Sequence, residues 1–256
     1  MPLLHIFIFI FGAMIGSFLN VLIFRLPRGM NWVYKRSFCP NCKTSIPFWR
    51  NIPLFTYVIQ RGKCHNCSTS IHFRYPVVEL LMAAAAVILF PENLYISNLV
   101  NYLFLFSVFA AFLVHFVVDL QHKILPDEIN IYLAILFLSY GMYYYSFLSV
   151  LVGGLVGFFI PYSVAYLFYK LKGVEGLGGG DIKLFGALGL YLGPQGIMFN
   201  IFISCFLGSV IGIFLILFKV LDKDKPLAFG PFIIIAAFFQ IFFPDQVTQL
   251  INYIGF

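Results

Sequence analysis

Long apolar runs, separated by short polar segments, follow one another along almost the whole chain. We place eight of them at residues 3–24, 77–90, 99–118, 129–147, 150–169, 182–192, 197–218 and 227–243. Their apolar positions are continuous and do not alternate with polar ones, which excludes an outer-membrane β-barrel. Because only helices and closed barrels satisfy their backbone groups in lipid, the pattern predicts an all-α polytopic membrane protein with about eight transmembrane helices.

Charge decides the number of spans, because the runs 77–90 and 182–192 are shorter than the roughly 17–25 residues of a typical spanning helix. With eight spans, all sixteen lysine and arginine residues fall on one side of the membrane. Removing either short span divides them between the two sides. In the eight-span arrangement, the opposite side carries only the acidic residues Glu92 and Asp245. The positive-inside rule makes the basic side cytoplasmic, and both termini are expected outside.

Composition agrees with a membrane chain, since 61% of the 256 residues are hydrophobic and 10% are charged. A soluble globular protein has about 25% charged residues. The net charge of +6 comes from the basic loops and reflects topology, so we expect the lipid bilayer and no nucleic acid as a partner.

The first loop, residues 25–75, carries four of the five cysteines. They form two Cys-x-x-Cys pairs, Cys39 with Cys42 and Cys64 with Cys67, with 21 residues between the pairs. Zinc ribbons and knuckles bring two such turns to one tetrahedral ion at similar spacing. Two disulfides are the alternative, but thiols in a cytoplasmic loop stay reduced, and we therefore predict structural zinc.

This interpretation divides the chain into three parts. We expect a first transmembrane helix at 1–24, a cytoplasmic four-cysteine zinc-binding domain at 25–75 and a transmembrane domain at 76–256.

Ionisable residues inside or beside the apolar runs are costly in a bilayer, and each is a candidate for function. They are Glu79, His115, Asp119 and Asp181. Asp119 ends the third run and Asp181 opens the sixth, so the topology places both at the cytoplasmic boundary. Two facing carboxylates suit peptide hydrolysis, because one activates a water while the other donates a hydrogen bond to the scissile carbonyl. Two other interpretations stay open, an interfacial role for Asp119 and helix capping by Asp181.

Two segments resemble the catalytic motifs of a known family. Gly178-Gly179-Gly180-Asp181 with Lys183 resembles the GxGD signature of intramembrane aspartyl proteases, and residues 119–127, Asp-Leu-Gln-His-Lys-Ile-Leu-Pro-Asp, resemble the other catalytic segment of bacterial prepilin peptidases. Further matches follow in the family's order: residues 16–21 with Arg25 and Pro27, both cysteine pairs, Asn51-Ile52-Pro53, residues 74–79 and Gly230-Pro231.

The resemblance implies a membrane-embedded aspartyl endopeptidase with Asp119 and Asp181 as its catalytic pair. Its substrates would be type IV prepilins or type II secretion pseudopilins. Cleavage after a glycine of the leader would remove a short basic leader peptide. The resemblance also implies N-methylation of the new amino terminus with S-adenosylmethionine as methyl donor. The location would be the bacterial cytoplasmic (inner) membrane, with the active site facing the cytoplasm.

Other residues are expected to support this site. Asp127 belongs to the motif and is interpreted as supporting structure, whereas Lys183 is expected to bind the substrate or tune the pair. The complete set of supporting candidates is Gly178, Gly180, Lys183, Asp127 and Glu79.

Two other classes of function compete with a protease. Paired membrane carboxylates occur in ion and proton transporters, but those usually lie near the bilayer midplane in repeated halves. Here both lie at one boundary and no repeated halves are evident. A non-catalytic zinc-anchored scaffold is the third class, and incubation with a prepilin separates all three.

Overall fold

The computed structural model describes residues 2–34, 36–174, 176–219 and 227–254, and most of these residues are helical. Lys35, Lys223 and Lys225, which the topology prediction counts among the basic residues, lie outside the described residues. The helices are α1 (Pro2–Arg25), α2 (Phe55–Ile59), α3 (Arg74–Ile88), α4 (Ile96–His122), α5 (Asp127–Tyr144), α6 (Phe147–Lys172), α7 (Gly179–Leu217), α8 (Gly230–Phe242) and α9 (Pro244–Ile254).

Each of the eight apolar runs overlaps a helix, which confirms the all-α class, but the number of clear spans is smaller. Among the described residues, four helical segments are long and apolar enough to cross a membrane: Leu3–Arg28, Ile96–His122, Phe147–Lys172 and Gly179–Leu217. A fifth is possible if α8 and the start of α9, bent by 103°, count as one span. Helix α3, with 15 residues, is too short to qualify alone.

Helix α7 carries two of the apolar runs because it is broken in the middle. Gly193 has φ 68° and ψ 179°, a conformation outside the helical region that glycine adopts without steric cost. Pro194 follows directly, and a proline disfavours the helical conformation of the residue before it. The runs 182–192 and 197–218 therefore form the two halves of α7.

A polar network lies just after this break. Gln240 of α8 donates from Nε2 to the carbonyl oxygen of Gly196 at 2.8 Å. Asn200 donates from Nδ2 to Oε1 of Gln240 at 2.7 Å. The network therefore joins α7 to α8 next to the break.

The chain divides into two compact units, Met1–Val114 and His115–Phe256. In the first, α1 and α3 pack through the small residues Gly12 and Gly16. A β-carbon on Gly12 would lie 2.6 Å from Cβ of Ala86, and one on Gly16 would lie 2.6 Å from Cα of Glu79. This Gly-x-x-x-Gly spacing is typical of close helix packing in membranes.

In the second unit, α6 and α7 approach backbone to backbone. A β-carbon on Gly153 would collide with the carbonyl oxygen of Gly189, and one on Gly157 with that of Phe185. A neighbouring face of α7 contributes fully or almost fully buried apolar side chains to the core, together with α5 and α8. These core residues are Leu133, Phe137, Leu184, Leu188, Ile233 and Ala237.

Candidate active site and metal centre

Asp119 lies in the last turn of α4 and is 4% exposed. Its Oδ2 accepts a hydrogen bond of 3.0 Å from the backbone N–H of Gly230, the first residue of α8. A helix N-terminus carries a partial positive charge that favours a carboxylate. A β-carbon on Gly230 would lie 2.8 Å from the same oxygen, so only glycine allows this approach.

Asp181 lies in the first turn of α7. Its backbone N–H donates to the carbonyl oxygen of Gly178 at 3.1 Å, and this contact defines the start of the helix. The side chain folds back, so that a β-carbon on Gly178 would lie 2.9 Å from Oδ2 of Asp181. Oδ1 of Asp181 is buried and has no hydrogen-bond partner in the part of the chain that the structure describes.

The loop between α4 and α5 joins the surroundings of the two aspartates. Cδ2 of Leu125 is 3.0 Å from the position that a β-carbon would take on Gly230, and Cβ of Leu125 is 3.0 Å from the corresponding position on Gly180. Asn130 of α5 donates from Nδ2 to the carbonyl oxygen of Gly180 at 3.3 Å. The starts of α7 and α8 thus pack on the same leucine.

The three consecutive glycines before Asp181 are not equivalent. The space above Gly178 is taken by the Asp181 carboxylate and that above Gly180 by Leu125, whereas a β-carbon on Gly179 would meet nothing within 4 Å. The first and third glycines are therefore required by contact, and the middle one is not. This is the spacing of the GxGD pattern.

These contacts bring together the two aspartates that the sequence pairs. Leu125 packs against both Gly230, whose N–H holds Asp119, and Gly180, the residue before Asp181. Both occupy helix ends, Asp119 the end of α4 and Asp181 the start of α7. Such an arrangement can hold one proton between two carboxylates and present the pair to one water molecule.

Two further candidates bind each other. Nζ of Lys183 is 2.7 Å and 2.8 Å from the two carboxylate oxygens of Asp127. The side chains are 50% and 60% exposed, respectively. The ion pair joins the first turn of α5 to α7 and is a supporting contact on geometric grounds.

The remaining candidates occupy different surroundings. His115 is fully buried one helical turn before Asp119. Glu79 belongs to the first unit, where its Oε2 accepts a hydrogen bond of 2.8 Å from the backbone N–H of Leu54.

The four cysteines of the first loop converge as predicted. Their sulfur atoms all lie within 4.8 Å of one another, and Sγ of Cys39 is 3.8 Å from Sγ of Cys67. A tetrahedral zinc ion with Zn–S bonds of about 2.3 Å requires S···S distances of about 3.8 Å. All four thiols are free. The donor set fits a zinc ion and does not form the alternative disulfides.

The two cysteine turns are copies of one another in sequence and in structure. Both read Cys-x-Asn-Cys-x-Thr-Ser-Ile, starting at residues 39 and 64. Asn41 donates from Nδ2 to Oγ1 of Thr69 at 2.8 Å, and Asn66 donates to Oγ1 of Thr44 at 3.0 Å. Each turn therefore holds the other through a reciprocal asparagine–threonine hydrogen bond, outside the four sulfurs.

The protonation of these thiols reflects the same contacts. Hydrogen bonds with Thr69, through its side chain and its backbone, lower the pKa of Cys67 to about 5. Hydrogen bonds from Thr44 likewise lower the pKa of Cys42. Burial raises the pKa of Cys39 to about 11. A thiolate is the form that binds a metal, so the threonines prepare two of the four ligands.

Sequence reasoning missed three of these features. Gly230 was matched to the family without a role, and its backbone N–H proves to be the hydrogen-bond donor to Asp119. Asn130 gave no pattern of its own. The asparagine–threonine bonds had a visible signal, the repeated eight-residue motif around the cysteines.

Two family models match the chain. The bacterial peptidase A24 N-terminal domain matches residues 10–92, and the type IV leader peptidase family matches residues 105–213. The first match contains the four cysteines and the second contains both aspartates.

Curated relatives extend the match over nearly the whole chain. A prepilin leader peptidase/N-methyltransferase of Xanthomonas campestris pv. campestris is 34% identical over 269 residues, covering 93% of this chain and 91% of the relative. Proteins of the same name from Aeromonas salmonicida and Pseudomonas aeruginosa are 32% and 30% identical, covering 94% and 96% of this chain and 91% and 92% of the relatives. No solved structure matches the chain significantly. The chain belongs to the type IV leader peptidase family.

Proposed function

We propose that this protein is an aspartyl endopeptidase that removes leader peptides from prepilins or pseudopilins, with Asp119 and Asp181 as its catalytic pair. The observation that carries the proposal is that both aspartates lie at helix ends whose surroundings meet at Leu125, with the Gly230 N–H on Asp119. The relatives are named prepilin leader peptidases, which supports prepilins as substrates.

The contacts of the two aspartates support different roles for their free oxygens. Gly230 holds Oδ2 of Asp119, which leaves its Oδ1 for a water molecule. Oδ1 of Asp181 is buried without a partner among the described residues and is available to the substrate carbonyl. The ionised carboxylate takes a proton from the water as it attacks the carbonyl, and the protonated one hydrogen-bonds to the carbonyl oxygen. Collapse of the intermediate breaks the C–N bond and returns a proton to the leaving amine.

The orientation and the full number of spans belong to the same proposal. With eight spans, the two halves of α7 cross separately, and the first cysteine loop, Asp119 and Asp181 all lie on the basic side of the membrane. That side is the cytoplasm, and the membrane is the bacterial inner membrane. The small domain at 25–75 is then a cytoplasmic zinc domain whose metal has a structural role, held by Cys39, Cys42, Cys64 and Cys67.

Methylation of the new amino terminus is proposed from the names of the relatives, with S-adenosylmethionine as donor. The glycine-rich turn before Asp181 does not fit a nucleotide-like group, because Asp181 and Leu125 already fill the space above Gly178 and Gly180. We therefore assign no residue of this turn to the methyl donor.

Cleavage of a prepilin by the purified protein in lipid tests the proposal. Asp119→Asn and Asp181→Asn should each abolish leader removal, and the double variant should be no worse than either single one, because the pair acts as a unit. Asp127→Asn is the matched control and should retain activity. Substantial cleavage by either single variant would refute the catalytic pair. Ion flux without cleavage would instead favour a transporter.

A further inference from the structure

The segment between the two cysteine turns exposes an unusual amount of apolar surface. Helix α2 exposes Phe55, Val58 and Ile59, while the intervening Thr56 and Tyr57 are less exposed. The apolar face of this short helix thus points outward. Phe48, 82% exposed, Trp49 and Ile52 continue the same surface towards the N-terminus. A protein surface facing water rarely carries such a patch without a partner.

A hydrogen bond shows how deep this segment lies relative to the membrane helices. Leu54, next to Phe55, donates its N–H to Glu79 of α3. The backbone of Glu79 packs on Gly16 of α1. Gly16 precedes Arg25, the end of α1, by nine residues, which is about 13 Å along a helix. A glutamate side chain is too short to reach back over that distance, so Leu54 lies below the end of α1.

The neighbouring surface of the membrane helices is also apolar and exposed. Met14 and Phe18 on α1 and Leu80 and Leu81 on α3 are each more than 40% exposed in this part of the bundle. Helix α1 is one of the segments long and apolar enough to span the bilayer, so its exposed side chains face lipid. The patch on 48–59 continues this lipid-facing surface.

We propose that residues 48–59 insert into the bilayer at the Arg25 end of α1 and anchor the cysteine domain to the lipid. Aromatic side chains such as Phe48 and Trp49 favour the headgroup boundary, and helices with one apolar face lie in it. Arg50 within the segment and Arg61 just after it suit phosphate headgroups at the same boundary. The proposal is independent of the catalytic assignment.

Tryptophan fluorescence tests the insertion directly, because the chain contains only Trp32 and Trp49. The full-length Trp32→Phe variant, reconstituted in phosphatidylcholine vesicles, reports on Trp49 alone. We expect vesicles brominated near the headgroup to remove most of its emission, relative to unbrominated vesicles, and aqueous iodide to have little effect. Strong quenching by iodide together with none by bromolipid would overturn the proposal.

Two companion variants identify the anchor. In the same single-tryptophan background, Phe55→Ser, Val58→Ser and Ile59→Ser together should reduce quenching by bromolipid, because the apolar face is lost. Phe55→Leu with Val58→Ile keeps that face and should leave quenching unchanged. If the serine variant is quenched as strongly as its parent, the patch is not the anchor. If Trp49 is shielded only after addition of a prepilin, the surface binds substrate and the lipid proposal fails.

Discussion

Replacing Gly178, Gly179 and Gly180 one at a time by alanine gives a graded test of the site geometry. The three substitutions are chemically identical and occupy neighbouring positions, so a difference in outcome reports on contacts alone. The contacts predict that Gly178→Ala and Gly180→Ala lose activity and that Gly179→Ala does not.

The size of each effect follows from the distances. In Gly178→Ala the new methyl group starts 2.9 Å from Oδ2 of Asp181, about 0.5 Å inside ordinary contact, and the carboxylate must move away. Because a misplacement of about 1 Å costs about 100-fold in rate, we expect a loss of about tenfold in kcat/KM. In Gly180→Ala the methyl group meets Cβ and the carbonyl oxygen of Leu125 at 3.0 Å and 3.2 Å. Overpacking of this kind costs about 1–3 kcal/mol, so stability should fall with activity.

Gly179→Ala is the matched control. Its methyl group enters open space, and alanine is preferred to glycine in a helix by up to about 1 kcal/mol. Activity should stay near that of the unmodified chain and the thermal midpoint should hold or rise. The assay is prepilin cleavage over a range of substrate concentrations, with thermal unfolding measured on the same preparations. The geometry would be refuted if Gly179→Ala lost as much activity as Gly178→Ala, or if Gly178→Ala lost none.

Three other predictions rest on single contacts. Gly230→Ala should lower kcat/KM about tenfold to 100-fold, because a hydrogen bond to a carboxylate contributes about 1.5–3 kcal/mol; unchanged kinetics would remove this N–H from the site. Asn41→Ala and Asn66→Ala should each release zinc to a chelator about tenfold faster while the membrane helices stay folded, as expected for residues that support metal ligands. Equal release rates in both variants and the unmodified chain would contradict the reciprocal hydrogen bonds. A double-mutant cycle on Asp127 and Lys183 should give a coupling of at most about 1 kcal/mol, since the pair is half-exposed, and unfolding measurements that gave a much larger coupling would show that it is shielded from water.

The sequence predicted the large-scale features because each depends on a periodic or repeated signal. Continuous apolar runs predicted the helices, and the cysteine spacing predicted a four-thiolate cluster. Placing Asp119 and Asp181 at one membrane boundary allowed them to meet, but their positions within the membrane plane were not determined, and the pairing itself came from the resemblance to prepilin peptidases.

The contacts that position the pair were not predictable in the same way. Gly230 lies 49 residues beyond Asp181, and a backbone N–H has no side-chain signature that could reveal its partner. The eight-span prediction treats the runs 182–192 and 197–218 as separate helices, whereas the structure joins them in one broken helix. Whether two half-helices cross the bilayer or form one bent segment depends on tertiary packing, which the apolar pattern does not encode.

Helix α8 contacts both of the helices that carry the two aspartates. Its first residue, Gly230, donates to Asp119, and Gln240, about 15 Å further along the same helix, donates to Gly196 of α7, just beyond the break. One helix therefore contacts both α4, at Asp119, and α7, which begins beside Asp181. A single residue inserted between Gly230 and Gln240 would rotate the contact at Gln240 by about 100° relative to that at Gly230, although the sequences of α4 and α7 would be unchanged.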